Sequence, residues 1–304
     1  MTAAVALVTA RAARGVDEDL PALLAAFTAA GARAEIKDWD DHRVDWASFD
    51  VALLRSAWDY AERLPEFLAW VERTAAATVL QNSAAVVRWS ADKHYLLTLA
   101  ERGLPVVTSV FAEPGQDAGQ VLRQFLAQHP STELVVKPAV GAGARDTRRH
   151  LAAATDQIVG HVSGLQVAGR SVMLQPYFEG VDRHGETALI FIDGRFSHAI
   201  RKGPLLPPGA PAHDALFAPE EISVRVPGAD ELGVAQRTLA ALPFGPLLYA
   251  RVDLIRDGHG APCLLELELA EPSLFLTFAP GAAERFAAAA LARLAQPGRR
   301  PGEG

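Results

Sequence analysis

Three acidic residues near the C-terminal end carry the strongest chemical signal. Asp253 stands in Arg251-Val252-Asp253-Leu254, and Glu266 and Glu268 stand in Leu264-Leu265-Glu266-Leu267-Glu268-Leu269. Side chains two apart on a strand share a face, so Glu266 and Glu268 point the same way. The turn Asp257-Gly258-His259-Gly260 between the two strands brings Asp253 alongside them. Carboxylates crowded on one face of otherwise apolar strands repel one another and are costly to bury unless a cation holds them together. Oxygen ligands with no His or Cys nearby suit Mg²⁺, which takes a few carboxylates together with substrate phosphates. The competing reading is a solvent-facing sheet with alternating acids. Leu264, Leu265, Leu267 and Leu269 weigh against it, because they would cover one face.

A second signal is the run Leu134-Val135-Val136-Lys137-Pro138, followed by Gly141, Gly143, Ala144, Arg145, Asp146, Thr147, Arg148 and Arg149. A lysine that ends an apolar strand before proline can reach a phosphate. Glycines let backbone N–H groups approach an anion, and the arginines add charge. The spacing fits neither a Walker A loop nor a dinucleotide fingerprint, and a plain Gly-rich turn competes. Lys93, in Trp89-Ser90-Ala91-Asp92-Lys93, is expected in the first turn of a helix; alone, such a lysine is more often a solvated surface residue. Met173-Leu174-Gln175-Pro176-Tyr177-Phe178-Glu179-Gly180 is a strand meeting proline at a change of pattern. Such a segment can offer backbone groups and apolar side chains to an adenine ring, although an isolated string of this kind is more often a plain linker.

The chain as a whole narrows the class. Its 304 residues are 50% hydrophobic and 21% charged, an ordinary globular composition with length for a substantial core. A net charge of −7 argues against a nucleic-acid binder, whose footprint is a basic patch. The lone cysteine, Cys263, excludes an intramolecular disulfide framework and sits in an apolar run as a buried thiol would. The start of the chain lacks the basic segment of a signal peptide, and no apolar run approaches a membrane span. The expectation is a cytoplasmic protein without membrane or nucleic-acid partners. His94, His150, His184, His198 and His213 are scattered without ligand spacing and are expected to hold no metal and to take no part in catalysis, His198, in the strand leading to Arg201, being the nearest to an exception.

The elements that would position these groups follow from periodicity. Ala4 to Val8, Ala34 to Ile36, Val51 to Leu54 and Thr78 to Leu80 read as strands. They alternate with helices from Asp19 to Gly31 and from Pro65 to Ala77. Such alternation implies a parallel sheet covered by helices. A helix from Ser90 to Arg102, a strand from Val106 to Phe111 and a helix from Ala118 to Gln128 follow. Then come a strand at Leu134 to Val136, a helix from Thr155 to Ala168 and a strand at Val172 to Leu174. After Pro176 antiparallel strands dominate. Thr187 to Ile192 and Phe196 to Ile200 are joined by Asp193-Gly194, a two-residue hairpin signal. Leu247 to Ile255 and Cys263 to Leu269 form the next pair, and an Ala-rich helix spans Ala282 to Leu294. Residues 203–214 read as a mobile Pro/Gly-rich loop, and 296–304 as a disordered tail. The class is α/β, passing to α+β in the C-terminal part, divided at 1–88, 89–175 and 176–295.

In combination these pieces resemble the ATP-grasp superfamily over roughly residues 90–293, with 1–88 similar to the α/β domain that precedes it. Lys93, Lys137, the Gly-rich loop, the segment Gln175 to Phe178 and the Asp…Glu-x-acid set come in the family's order. Glu268 departs from it, standing where many members have Asn. The strings Leu7-Val8-Thr9-Ala10-Arg11, Asp17-Glu18-Asp19-Leu20, Arg55-Ser56-Ala57-Trp58-Asp59-Tyr60, Ser197-His198-Ala199-Ile200-Arg201-Lys202-Gly203 and Glu271-Pro272-Ser273-Leu274-Phe275-Leu276 look like the D-cycloserine synthetase group.

The resemblance implies ATP and Mg²⁺ as cofactors and an acyl phosphate formed on the carboxylate of a small amino-acid-like substrate. It implies a ribose contact at Glu186, an oxyanion partner at Arg251, and γ-phosphate or carboxylate ligands at Arg201 and Lys202. Asp17, Arg55, Asp59, Tyr60, Glu271 and Ser273 are the implied substrate contacts, and a homodimer is left open. Within the group the expected reaction cyclises O-ureido-D-serine with loss of carbon dioxide and ammonia. An intermolecular carboxylate–amine ligase would use the same machinery. A regulatory ATP-binding module without turnover is the rival from another class.

Overall fold

The computed structural model describes residues 2–206 and 221–296. The N-terminal part comprises β1 (Ala4–Thr9), α1 (Asp19–Ala29), β2 (Arg33–Asp38), β3 (Val51–Ser56), α2 (Leu64–Ala77) and β4 (Val79–Gln81). Its strands form a parallel sheet in the order β2-β1-β3-β4. The two central strands, β1 and β3, are buried along their whole length, as continuous apolar runs between two helical layers should be. Gly31, at φ +80°, ends the first helix in the left-handed conformation that glycine adopts most readily.

The middle part holds α3 (Ala84–Ser90), α4 (Tyr95–Glu101), β5 (Val110–Ala112), α5 (Ala118–Gln128), β6 (Glu133–Pro138), β7 (Arg148–Leu151), α6 (Thr155–Val167) and β8 (Val172–Pro176). An antiparallel sheet, β5-β8-β6-β7, packs Leu134, Val136, Val172 and Leu174 against Phe125, Ile158 and Val162 of the helices. The last part comprises α7 (Gly180–His184), β9 (Glu186–Ile192), β10 (Arg195–Lys202), β11 (Ile222–Arg225), α8 (Ala229–Ala240), β12 (Tyr249–Arg256), β13 (Pro262–Glu268) and α9 (Ala282–Leu294). Its antiparallel sheet runs β11-β10-β9-β12-β13. Asp193 and Gly194, at φ +50° and +72°, make the tight β9–β10 turn expected from their types.

The sheet of the N-terminal part and the C-terminal sheet share one core, in which Phe27 meets Phe286 edge-on at 6.4 Å. A buried side chain just past β4, Asn82, bonds to backbone of the C-terminal part. Its amide donates to the carbonyls of Tyr249 at 2.9 Å and Leu269 at 2.7 Å, and its oxygen accepts from the Leu248 N–H at 3.1 Å.

Two expected elements take a different form. The helix expected from Ser90 to Arg102 is broken: Ser90 ends α3, and Lys93 lies in the turn before α4. The Lys93 N–H donates to the Ala139 carbonyl at 3.0 Å, a tertiary bond that overrides helical continuity. The strand expected from Val106 to Phe111 is shorter, because Val106 makes only an isolated bridge to Leu264. The polar strand β7 and the helix α8 are additions, the latter closed by Glu231 accepting from the Gly228 N–H at 2.7 Å. In the stretch 203–214, residues 203–206 have no regular secondary structure, and 207–214 lie outside the described residues, as does the tail from 297. No described helix is long and apolar enough to cross a membrane.

Replacing Asn82 with alanine removes its three bonds and strands buried backbone groups. We expect a loss of about 3 kcal/mol in urea unfolding; a loss below about 0.5 kcal/mol would contradict this tie.

Candidate active site

Strands β12 and β13 pair with Arg251 opposite Glu268 and Asp253 opposite Glu266. The register then shifts, so that Leu254 faces Leu264. Arg251, Asp253, Glu266 and Glu268 thus share one face, while Val252, Leu254 and Leu267 enter the core on the other. Lys202, the last residue of β10, lies opposite Glu186 at the start of β9. Because β9 sits between β10 and β12, the Lys202 side chain also reaches Asp253.

The result is a dense ion cluster. The Arg251 guanidinium donates to Asp253 through Nε at 2.9 Å and Nη2 at 2.8 Å, and it also pairs with Glu268. Lys202 Nζ donates to Asp253 at 3.0 Å and pairs with Glu186 at 2.7 Å. Lys93 Nζ lies 2.9 Å from Glu266 and donates to the Gly141 carbonyl at 2.9 Å; Lys137 Nζ lies 3.8 Å from Glu266. The Lys93 bond pins the start of the Gly-rich loop. Arg145 of that loop pairs with Glu62, which closes the loop onto the N-terminal part.

Burial and pairing divide the acids. Burial raises the Asp253 and Glu266 carboxyls, but Arg251 and Lys202 outweigh it for the first, and Lys93 and Lys137 for the second, so both fall below the usual range. Burial prevails for Glu186 and Glu268, pushed up to about 7, and for Glu271, pushed up to about 8. Burial lowers Lys137, whereas Glu266 outweighs burial for Lys93 and raises it.

These groups line one cavity with the Gly-rich loop (Gly141, Gly143, Ala144, Arg145), the segment Gln175, Pro176, Tyr177 and Phe178, and the residues Tyr60, Glu271 and Ser273. Four residues expected at the site are not among its lining. Asp17 is buried just before α1, where it accepts from the Asp19 N–H at 2.9 Å, and Arg55 is buried near the end of β3, where it donates to the Pro272 carbonyl at 2.7 Å. Asp59 accepts from Trp39 Nε1 at 2.8 Å, and Arg201 donates to the His184 carbonyl at 3.1 Å. Glu186, the implied ribose contact, faces Lys202 at the ion cluster. Sequence reasoning did not assign the apolar walls Leu205, Leu206, Ile255 and Leu265, or Phe275. Their types give no signal separable from core residues, although Phe275 has the unusual φ of +51°.

The oxygen donors fit Mg²⁺ in kind. Among the described residues, however, no three side chains converge as a metal cage, because each carboxylate turns to a cation. Mg²⁺ commonly needs only one or two carboxylates when phosphates complete its shell.

Comparison with known proteins adds a family. Residues 5–82 match the model of the D-cycloserine synthetase DcsG N-terminal domain. Across 95% of this chain and 98% of the relative, the sequence is 43% identical to cycloserine biosynthesis protein DcsG of Streptomyces lavendulae. The crystal structure of D-cycloserine synthetase DcsG superposes with a TM-score of 0.90 at 43% identity, covering 95% of this chain and 99% of that one. The ATP-grasp ligase PsnB, complexed with a phosphomimetic variant of its minimal precursor, Mg and ADP, matches at a TM-score of 0.64. That match has 17% identity and covers 96% and 99% of the two chains, which supports the fold alone.

The raised acids set a pH dependence. Each binds a proton in the folded protein that the unfolded chain has already lost above about pH 4.5, so stability falls as pH rises through the folded values. Unfolded histidines are half charged at about pH 6.5 and largely neutral by about pH 7.5, so the lowered histidines His150, His161 and His198 oppose this trend only over its first part. The Tm of the ligand-free protein should fall between about pH 6.5 and 8.5, and Glu271→Gln should make the fall shallower. A flat profile, or one that Glu271→Gln leaves unaltered, would contradict this reading.

Proposed function

We propose that this chain, which belongs to the D-cycloserine synthetase family of ATP-grasp ligases, cyclises O-ureido-D-serine to D-cycloserine at the expense of ATP. The overall class, an ATP-dependent ligase, follows from the full-length relationship to DcsG. The observation that carries the specific reading is the meeting of Lys93, Lys137, Lys202 and Arg251 with the acids of β12 and β13 in one cavity. We take residues 1–88, 89–175 and 176–295 as three units around this cavity. ATP and Mg²⁺ supplies would place the enzyme in the cytoplasm.

A substrate carboxylate attacking the γ-phosphate brings two anions together, so fixed cations must neutralise the site. Lys93 and Lys137 would hold the α- and β-phosphates, and the loop from Gly141 would cover the γ-phosphate and exclude water. Gln175 to Phe178 would receive the adenine between Leu205, Leu206, Ile255 and Leu265. Glu266 and Glu268, with Asp253 beside them, would hold Mg²⁺, which supplies neutralising charge to the phosphates. Tyr60, Glu271 and Ser273 would receive the ammonium and carboxylate ends of the substrate. The ureido nitrogen then attacks the acyl carbon of the same molecule, which needs little beyond orientation. Arg251 would stabilise the oxyanion as phosphate departs. Addition of one water to the carbamoyl group releases carbon dioxide and ammonia.

Phosphate release from Mg²⁺-ATP should require O-ureido-D-serine and yield cycloserine. Glu266→Ala should lower kcat at least about 10³-fold with the circular dichroism unchanged. Release only with a separate acid and amine would move the assignment to an intermolecular ligase. Unchanged kcat in the variant would remove Glu266 from the chemistry.

A further inference from the structure

Arg149 lies in the polar strand β7, outside the ion cluster, and its side chain is only 4% exposed. Every nitrogen of its guanidinium is engaged. Nε and Nη2 donate to the two oxygens of Glu133 at 2.9 and 2.5 Å, a bidentate fork. Nη1 donates to Asp182 at 3.1 Å and to the Leu206 carbonyl at 3.3 Å. The guanidinium carbon stands 3.6 Å from the centre of the Tyr177 ring, within cation–π range. Tyr177 in turn donates its hydroxyl to Asp182 at 2.6 Å, and its N–H to the Glu133 carbonyl at 3.0 Å. One buried arginine therefore joins β6, the end of β8, α7 and the segment carrying Leu206.

Tyr177 and Leu206 both line the cavity, whereas Arg149 itself is not among its lining residues. The unpaired alternative for Arg149 is costly, since a buried guanidinium needs partners for all its donors. Simple fold maintenance would be met by Glu133 alone. The additional stack on Tyr177 and the bond to Leu206 act on two walls of the same slot.

We infer that Arg149 is a positioning residue for the nucleoside half of ATP: it fixes Tyr177 and Leu206 as the walls that receive the base, without touching the phosphates. The inference rests on the nucleotide reading proposed above. It separates base recognition from phosphate recognition, which belongs to Lys93 and Lys137. It also gives the arginine that closes the Gly-rich run a role distinct from that loop.

The test is calorimetric binding of MgADP, alongside inhibition by inorganic tripolyphosphate, which has phosphates and no base. Arg149→Met should weaken MgADP binding about tenfold and raise the KM for ATP in parallel, leaving kcat and tripolyphosphate inhibition unchanged. Asp182→Ala, which removes the acceptor shared by Arg149 and Tyr177 and keeps the Arg149–Glu133 fork, should likewise weaken MgADP binding and spare tripolyphosphate inhibition if Arg149→Met does not fold. Arg149→Lys should rescue little, because it lacks the planar fork. Unchanged MgADP affinity in either folded variant would overturn the inference, as would equal losses of MgADP and tripolyphosphate affinity. Failure of the unaltered enzyme to bind MgADP would overturn the nucleotide reading and this inference with it.

Discussion

The packing of Glu186, Asp253, Glu266 and Glu268 against Lys93, Lys137, Lys202 and Arg251 is the constraint around which the chain is arranged. Taking such charges from water costs several kcal/mol per ion by rough estimate, and a buried pair seldom returns more than that. The cluster is therefore weak ground for stability, and its members come from three separate stretches of chain that folding must bring into register. Lys93 comes from the turn between α3 and α4, Lys137 from β6, and the rest from the C-terminal sheet. A site in which every carboxylate already has a cation is preorganised for phosphates, because incoming anions exchange for carboxylates at fixed positive charge.

The N-terminal part braces this arrangement from the side. Asp19 accepts from the N–H groups of Leu274 and Leu276 at 2.6 and 2.7 Å. Arg55 holds the Pro272 carbonyl, and Trp58 Nε1 donates to the Glu271 carbonyl at 2.9 Å. The segment from Glu271 to Leu276 is thereby fixed from outside its own sheet. Of the residues expected at the substrate, Arg55 holds the backbone of this segment, Asp17 accepts from the Asp19 N–H at the start of α1, and Asp59 accepts from Trp39. The same logic governs Arg149, which acts through Tyr177 and Leu206.

Much of this is legible in the sequence, and the exceptions have physical causes. The helices Ala118–Gln128 and Ala282–Leu294 follow from apolar period, because one face packs on a sheet. The shared face of Asp253, Glu266 and Glu268 follows from the period of two, and Arg251 beside Asp253 from the same rule. Lys202 beside Asp253 does not, since it depends on β9 lying between β10 and β12. Strand β7 escapes notice because Arg149 and His150 are buried by pairing rather than by apolarity. The turn at Lys93 is set by the Ala139 carbonyl, a partner far along the chain. Local pattern identifies elements well; contacts between distant polar groups it cannot supply.

The central claim is that the cluster serves to activate a substrate carboxylate as an acyl phosphate. O-ureido-D-serine labelled with ¹⁸O in its carboxylate tests it most directly. Cyclisation through an acyl phosphate transfers one labelled oxygen to inorganic phosphate for each molecule closed. Unlabelled phosphate formed alongside cycloserine would contradict the claim, since the phosphoryl group would then have gone to water and not to the substrate.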